Sequence, residues 1–102
     1  NGNYYKPVIA YLKENVKENE TIMGGAELGF GLEYSNKLIG DPTLGLETGK
    51  RATYIVYDSS IELSYRDAEK LFPEFYEYLP KLLKEYDVVY ENPAYKIYAR
   101  RK

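Results

Sequence analysis

Residues 86–101 constrain the fold of this chain more than any other stretch. They read Tyr86-Asp87-Val88-Val89-Tyr90-Glu91-Asn92-Pro93-Ala94-Tyr95-Lys96-Ile97-Tyr98-Ala99-Arg100-Arg101, two β-branched and aromatic runs either side of a Glu-Asn-Pro-Ala turn. Such residues suit a pleated, half-buried surface, and Asn-Pro punctuates it. Two strands joined by so tight a turn must be antiparallel. Ala52-Thr53-Tyr54-Ile55-Val56-Tyr57-Asp58 is the clearest single strand. Its nearly continuous apolar run predicts burial on both faces.

The rest of the chain alternates helical and strand patterns. Tyr5, Val8, Ile9, Leu12 and Val16 recur at helical spacing, with Asn3 a candidate N-cap and Pro7 acceptable in a first turn. Thr21-Ile22-Met23 reads as a short buried strand. Residues 26–34 read as a short helix weakened by Gly29 and Gly31, and 37–41 as a second strand stopped by Pro42. A glycine-rich loop follows over 43–51. Residues 59–64 read as a crossing loop, with Ser64 a candidate N-cap. Over 65–86 the spacing predicts helix, with Leu71, Phe75, Leu79, Leu82 and Tyr86 on one face. Pro73 and Pro80 divide or kink it.

Strands alternating with helices predict a sheet covered on both faces, and right-handed crossovers make consecutive strands parallel. The expected fold is α/β: a small three-layer Rossmann-like mixed sheet of about five strands, its first three parallel, closing with the antiparallel C-terminal hairpin. At 102 residues the chain is expected to form one domain, 1–102.

Composition removes several classes of chemistry. The chain has no cysteine and no histidine, so thiolate nucleophiles, disulfides, zinc-thiolate sites and Ser-His-Asp devices are excluded. Fourteen basic against 16 acidic residues leave a net charge of −2, which is no footprint for nucleic acid. Lys50-Arg51 and Arg100-Arg101-Lys102 read as solvated ends. No apolar run approaches the ~20 residues that span a bilayer, and the opening Asn1-Gly2-Asn3 lacks an initiator Met. The chain is therefore expected to be a fragment of a larger protein. Thirteen tyrosines and no tryptophan predict half-buried rings with wet hydroxyls, or alternatively a sugar-stacking surface.

Three constellations are candidates for a site. Gly24-Gly25-Ala26-Glu27-Leu28-Gly29-Phe30-Gly31 follows a strand and opens a helix, where nucleotide-binding folds cradle phosphate, and Asp41 ends the next strand, where such folds place a ribose ligand. The spacing departs from Gly-x-Gly-x-x-Gly, and tight packing explains the same glycines. Glu27, Asp41, Glu47 and Asp58 form an acidic set. Asp41 and Asp58, at neighbouring strand ends, are candidates for Mg²⁺ or Ca²⁺ ligands or an acid–base pair, or simply cap turns. Tyr5, Tyr34, Tyr54 and Tyr57 with Arg51 and Arg66 are candidates to line a groove for sugar or peptide.

Several segments carry a family resemblance. Val8-Ile9-Ala10-Tyr11-Leu12-Lys13-Glu14-Asn15-Val16 followed by Glu20-Thr21-Ile22-Met23, the segment Leu38-Ile39-Gly40-Asp41-Pro42-Thr43-Leu44-Gly45, the strand Ala52-Thr53-Tyr54-Ile55-Val56-Tyr57 and the closing Tyr-Asp-Val-Val-Tyr-Glu-Asn-Pro-Ala-Tyr-Lys-Ile-Tyr together resemble the C-terminal domain of polytopic membrane glycosyltransferases of the protein-mannosyltransferase-like type. Gly40-Asp41-Pro42 departs from the family's more usual Ile-Asp. The resemblance implies an extracytoplasmic domain of an enzyme that moves sugar from a polyprenyl-phosphate donor. The family's catalytic acid lies in an early loop outside this segment, so no catalytic residue, cofactor or metal is expected here. The implied partners are the remainder of a membrane-embedded chain and a sugar acceptor or polyprenyl-phosphate sugar. The alternatives are a small nucleotide- or S-adenosylmethionine-binding protein using Gly24, Gly25 and Asp41, and a protein-interaction module with an exposed aromatic patch.

Overall fold

The computed structural model describes residues 2–24, 28–32 and 36–102. Helix α1 (Gly2–Asn15) leads to a two-residue strand β1 (Ile22–Met23), a single helical turn α2 (Leu28–Gly31) and strand β2 (Tyr54–Tyr57). Helices α3 (Ser59–Leu71) and α4 (Pro73–Leu83) follow, then strands β3 (Tyr86–Glu91) and β4 (Lys96–Arg100). The described strands form one open mixed sheet in the order β1-β2-β4-β3. β1 runs parallel to β2, and β4 is antiparallel to both β2 and β3.

Alternation along the two parallel strands builds a core on each face. Ile22 and Val56 pack with Val8, Ile9 and Leu12 of α1 and with Leu28, Tyr95 and Ile97. Their strand neighbours Met23 and Ile55 pack with Ala68, Phe75, Leu79, Leu82 and Tyr86. Successive strand side chains point to opposite faces. Helix α1 therefore covers one face, and α3 with α4 the other.

Among the described residues the sheet has four strands rather than about five, and it is not strictly Rossmann-like. Within 37–41, Leu38 meets Ile22 in one isolated parallel bridge. The Ile22 N–H donates to the Lys37 carbonyl at 2.9 Å and the Ile39 N–H to the Ile22 carbonyl at 2.8 Å. The chain then turns, with the Asp41 N–H donating back to Ile39, and Pro42 has no N–H to extend a ladder. The parallel sense expected of the first three strands is present in the β1–β2 pair and in this bridge. β2's other neighbour is antiparallel β4, which slots between β2 and β3.

Three local expectations need correction. Helix α1 begins at Gly2, so Asn3 lies inside it and Pro7 is interior; Pro7 is exposed, where forgoing one i→i−4 bond leaves nothing buried unpaired. Residues 59–64 are helical, because Asp58 rather than Ser64 is the cap. The helical stretch breaks at Phe72, as Pro73 forces the preceding residue out of the helical region: Phe72 has φ −151° and ψ 69°. That break turns Leu71 away from its expected face, and it is 83% exposed while Phe75, Leu79, Leu82 and Tyr86 are buried. Pro80 is tolerated inside α4, at an exposed position near its end.

The hairpin turn is fastened by Asn92. Its side-chain oxygen accepts from the N–H groups of Ala94 (3.0 Å) and Tyr95 (2.9 Å), and its amide nitrogen donates to the Tyr4 carbonyl of α1 at 3.0 Å. An Asx turn thereby ties the two ends of the chain together. The hub of the sheet is Ile55, with no solvent exposure. Ile55→Asp would put an unpaired carboxylate among α3 and α4, a cost comparable with the about 5–15 kcal/mol that holds a whole domain. The variant is expected to lose its cooperative thermal transition and the dispersed amide spectrum of a folded protein.

Candidate functional site

Asp41 organises the loop that follows it. Its Oδ1 accepts from the Thr43 N–H at 2.8 Å and the Thr43 hydroxyl at 2.6 Å. Its Oδ2 accepts from the Gly45 N–H at 3.0 Å and the Thr48 hydroxyl at 2.7 Å. The side chain is thus enclosed by its own loop, and the residue is 6% exposed. Two left-handed residues sit within this knot, Leu44 with φ +52° and Gly45 with φ +96°. A non-glycine residue rarely adopts that region, and Leu44 is held there by burial and by the Asp41 bonds on either side of it. Burial alone would raise the Asp41 carboxyl, but the hydroxyls of Thr43 and Thr48 and the N–H groups of Thr43 and Gly45 outweigh it and hold it below the ordinary aspartate value.

Asp58 is likewise occupied. As N-cap of α3, its Oδ1 accepts from Ser60 N–H (3.0 Å), Ile61 N–H (3.2 Å) and the Ser60 hydroxyl (2.6 Å), which satisfies donors that a helix start leaves orphaned. No group of three His, Cys, Asp or Glu side chains able to hold a metal ion occurs among the described residues.

Gly24 ends β1 against the opposite strand: a Cβ there would meet the Leu28 side chain at 2.5 Å and the Val56 carbonyl oxygen at 3.1 Å. Gly25 and Glu27 lie outside the described residues. Gly24, Pro42 and Ser60 do converge, at the C-terminal edge of β1 and β2, on a small cavity of about 160 Å³ closed by Leu44, Ile61, Ser64 and Phe75. Asp41 does not line it; its carboxylate is engaged by its own loop.

A larger open groove of about 460 Å³ lies between the end of β2, the start of α3 and the hairpin turn. Tyr57, Asp58, Ser59 and Glu62 form one wall, and Asn92, Pro93, Ala94, Tyr95 and Lys96 the other. The walls are joined through the sheet, since Tyr57 pairs with Lys96. The Tyr57 hydroxyl donates to a Glu62 carboxylate oxygen, and Glu62 also meets Arg66 at 3.5 Å. Burial first, and then that hydrogen bond, push the Tyr57 ionisation upward, so the phenol remains a donor at neutral pH. The Asn92 amide is spent on the turn and on Tyr4 and Tyr90. The groups left to a ligand are the Tyr57 ring, the Glu62 carboxylate and the Lys96 ammonium, a set that suits a hydroxyl-rich ligand, which needs apolar surface and a few placed polar groups.

Of the expected tyrosine–arginine set, only Tyr57 lines this groove. Tyr5 packs behind it on Tyr95, with ring centres 6.2 Å apart, and Tyr34 lies outside the described residues. Tyr54 is three residues back on β2, while Arg51 lies over the Tyr78 ring. Arg66 reaches the groove only through Glu62. Glu62, Asn92 and Lys96 were not legible as site residues: what unites them is a strand pairing across 39 positions, and Asn92-Pro93 alone carried a local turn signal. The exposed large hydrophobics among the described residues are Leu63, Leu71, Val88 and Val89, none of them aromatic. No protein-family model, curated protein or solved structure matches the chain.

Two substitutions test the acids. Asp41→Asn places an amide donor against donors in a buried site, and is expected to cost about 2 kcal/mol. A carboxyl held below its unfolded value contributes stability that is complete above about pH 4 and is lost as the pH falls through the folded value. Thermal melts in that acid range should therefore decline more steeply for the parent chain than for Asp41→Asn. Asp58→Ala is expected to cost about 1 kcal/mol, and Asp58→Asn much less, because asparagine caps equally well.

Proposed function

We propose that this chain is an accessory domain of a polytopic membrane glycosyltransferase that draws on a polyprenyl-phosphate sugar. It stands on the extracytoplasmic side, is non-catalytic on its own, and helps to seat the acceptor or the lipid-linked donor. The observation that carries this reading is the use made of Asp41 and Asp58. Both candidate acids serve as caps of loop and helix, so the segments that resemble the transferase family act here as scaffold. What that scaffold presents is the groove, whose wall is the closing Asn92-Pro93-Ala94-Tyr95-Lys96 run. Its tyrosine, carboxylate and ammonium groups match the hydroxyl-rich chemistry of a sugar acceptor. No helix among the described residues is long and apolar enough to cross a membrane, so the reading requires membrane helices elsewhere in the same gene product.

The test is made on the full gene product in native membranes, with its topology mapped and sugar transfer from a polyprenyl-phosphate donor measured. Glu62→Gln and Lys96→Ala are expected to raise KM for acceptor or donor several-fold with kcat little changed, the pattern of lost binding shared by ground and transition states. A gene that encodes this chain with no membrane-spanning helix ends the proposal. Submillimolar binding of a nucleotide or S-adenosylmethionine, with amide shifts at Gly24, replaces it with the nucleotide-binding alternative.

A further inference from the structure

Forty-eight residues separate Lys50-Arg51 from Arg100-Arg101-Lys102, yet the fold brings them together around Glu85. Arg51 Nε lies 3.3 Å from a Glu85 carboxylate oxygen and Arg100 Nη2 lies 3.8 Å from the same oxygen. The Arg101 N–H donates to the Glu85 carbonyl at 2.9 Å, and the Arg100 N–H to the Thr53 carbonyl at 2.9 Å. Arg101 in turn reaches Asp87 at 3.4 Å. Lys50, Lys84 and Lys102 flank these residues in the chain and are exposed, as are Arg100 and Arg101. Six cations thus stand with two acids on one end of the sheet, a local surplus of positive charge in a chain whose net charge is −2.

Arg51 is the organiser of this face. Its guanidinium lies 5.5 Å from the Tyr78 ring centre, hydrogen-bonds the Tyr78 hydroxyl at 3.0 Å, and bonds the Lys50 carbonyl at 3.3 Å. Of the other five cations, Arg100 and Arg101 are exposed while paired with Glu85 and Asp87, and Lys50, Lys84 and Lys102 are exposed. Beside them on the edge strand β3, immediately after Asp87, come Val88 and Val89, both exposed, where a bulge interrupts the pairing with β4.

We infer that this basic face, with Val88 and Val89 at its border, docks on the anionic headgroups of a lipid surface. Cations spread over an exposed face suit many headgroups in a plane better than one enclosed phosphate, and exposed apolar residues next to cations add interfacial contact. A surplus this small, in a chain otherwise acidic, does not match the long basic track that nucleic acid requires. The inference stands on charge placement alone, so its failure leaves the transferase reading to its own test.

The experiment is co-sedimentation of this chain with vesicles, either pure phosphatidylcholine or phosphatidylcholine with one-third phosphatidylglycerol, at low salt. Each cation held at an anionic surface is worth about fivefold in binding. The anionic vesicles are expected to bind at least about tenfold more tightly, with the difference collapsing in high salt. The triple variant Lys50→Glu, Arg101→Glu, Lys102→Glu, which leaves Arg51 in place, should lose that preference. Lys6→Glu and Lys13→Glu on α1 together with Lys17→Glu just beyond its end, with the same change in net charge, should keep most of it. Circular dichroism melts verify that both variants fold. Equal binding to both vesicles, no binding to either, or equal losses in the two variants would overturn the inference. So would displacement by inorganic phosphate at constant ionic strength, or a preference for duplex DNA over vesicles.

Discussion

Everything in this molecule depends on the burial of one short strand from both sides. Ile55 and Val56 are adjacent in sequence and belong to different cores, because a strand sends successive side chains to opposite faces. β2 is also the only strand among those described that pairs in both senses, parallel to β1 and antiparallel to β4. Helix α1 and the α3–α4 pair share no face of the sheet, so each is anchored through this strand. A chain of 102 residues has little surplus core, and the double use of β2 lets it enclose two apolar layers.

Around that strand, polar side chains do the fastening. Asp41 closes the loop after the β1 bridge, Asp58 starts α3 directly after β2, and Asn92 secures the hairpin turn and reaches α1. Two tyrosine hydroxyls complete the set: buried Tyr86 donates to the Ala52 carbonyl at 2.6 Å and half-buried Tyr78 to the Leu44 carbonyl at 2.8 Å. These two tyrosines are therefore structural, with the ring against the core and the hydroxyl on a carbonyl. No buried side-chain nitrogen or oxygen lacks a partner among the described residues. Acids so placed rigidify a scaffold, and the surfaces left for recognition are the groove beside the hairpin turn and the basic end of the sheet.

Both surfaces arise where distant segments meet. The groove exists because β4 returns to pair with β2, which sets Lys96 beside Tyr57. The basic face exists because β4 carries Arg100 back to Thr53 beside β2 and leads Arg101 to Glu85 beside β3. A single event, the insertion of β4 between β2 and β3, thus creates the two faces on which the functional readings rest.

The sequence by itself determined the local elements. The run 86–101 announced a hairpin, 52–58 a doubly buried strand, and the spacing of Val8, Ile9 and Leu12 an amphipathic helix, because side-chain periodicity and turn chemistry act within a few residues. It also showed that Pro73 would divide the C-terminal helices, since proline restricts its immediate neighbour. Only the tertiary structure decided that 37–41 forms a bridge rather than a strand, that Leu71 faces solvent, that Asp58 caps where Ser64 was expected, and that two basic clusters become one surface. The bridge and the merged basic surface turn on partners far apart in the chain, while the cap and the exposure of Leu71 turn on where α3 starts and at what angle the chain leaves it at Phe72. Periodicity carries no record of either.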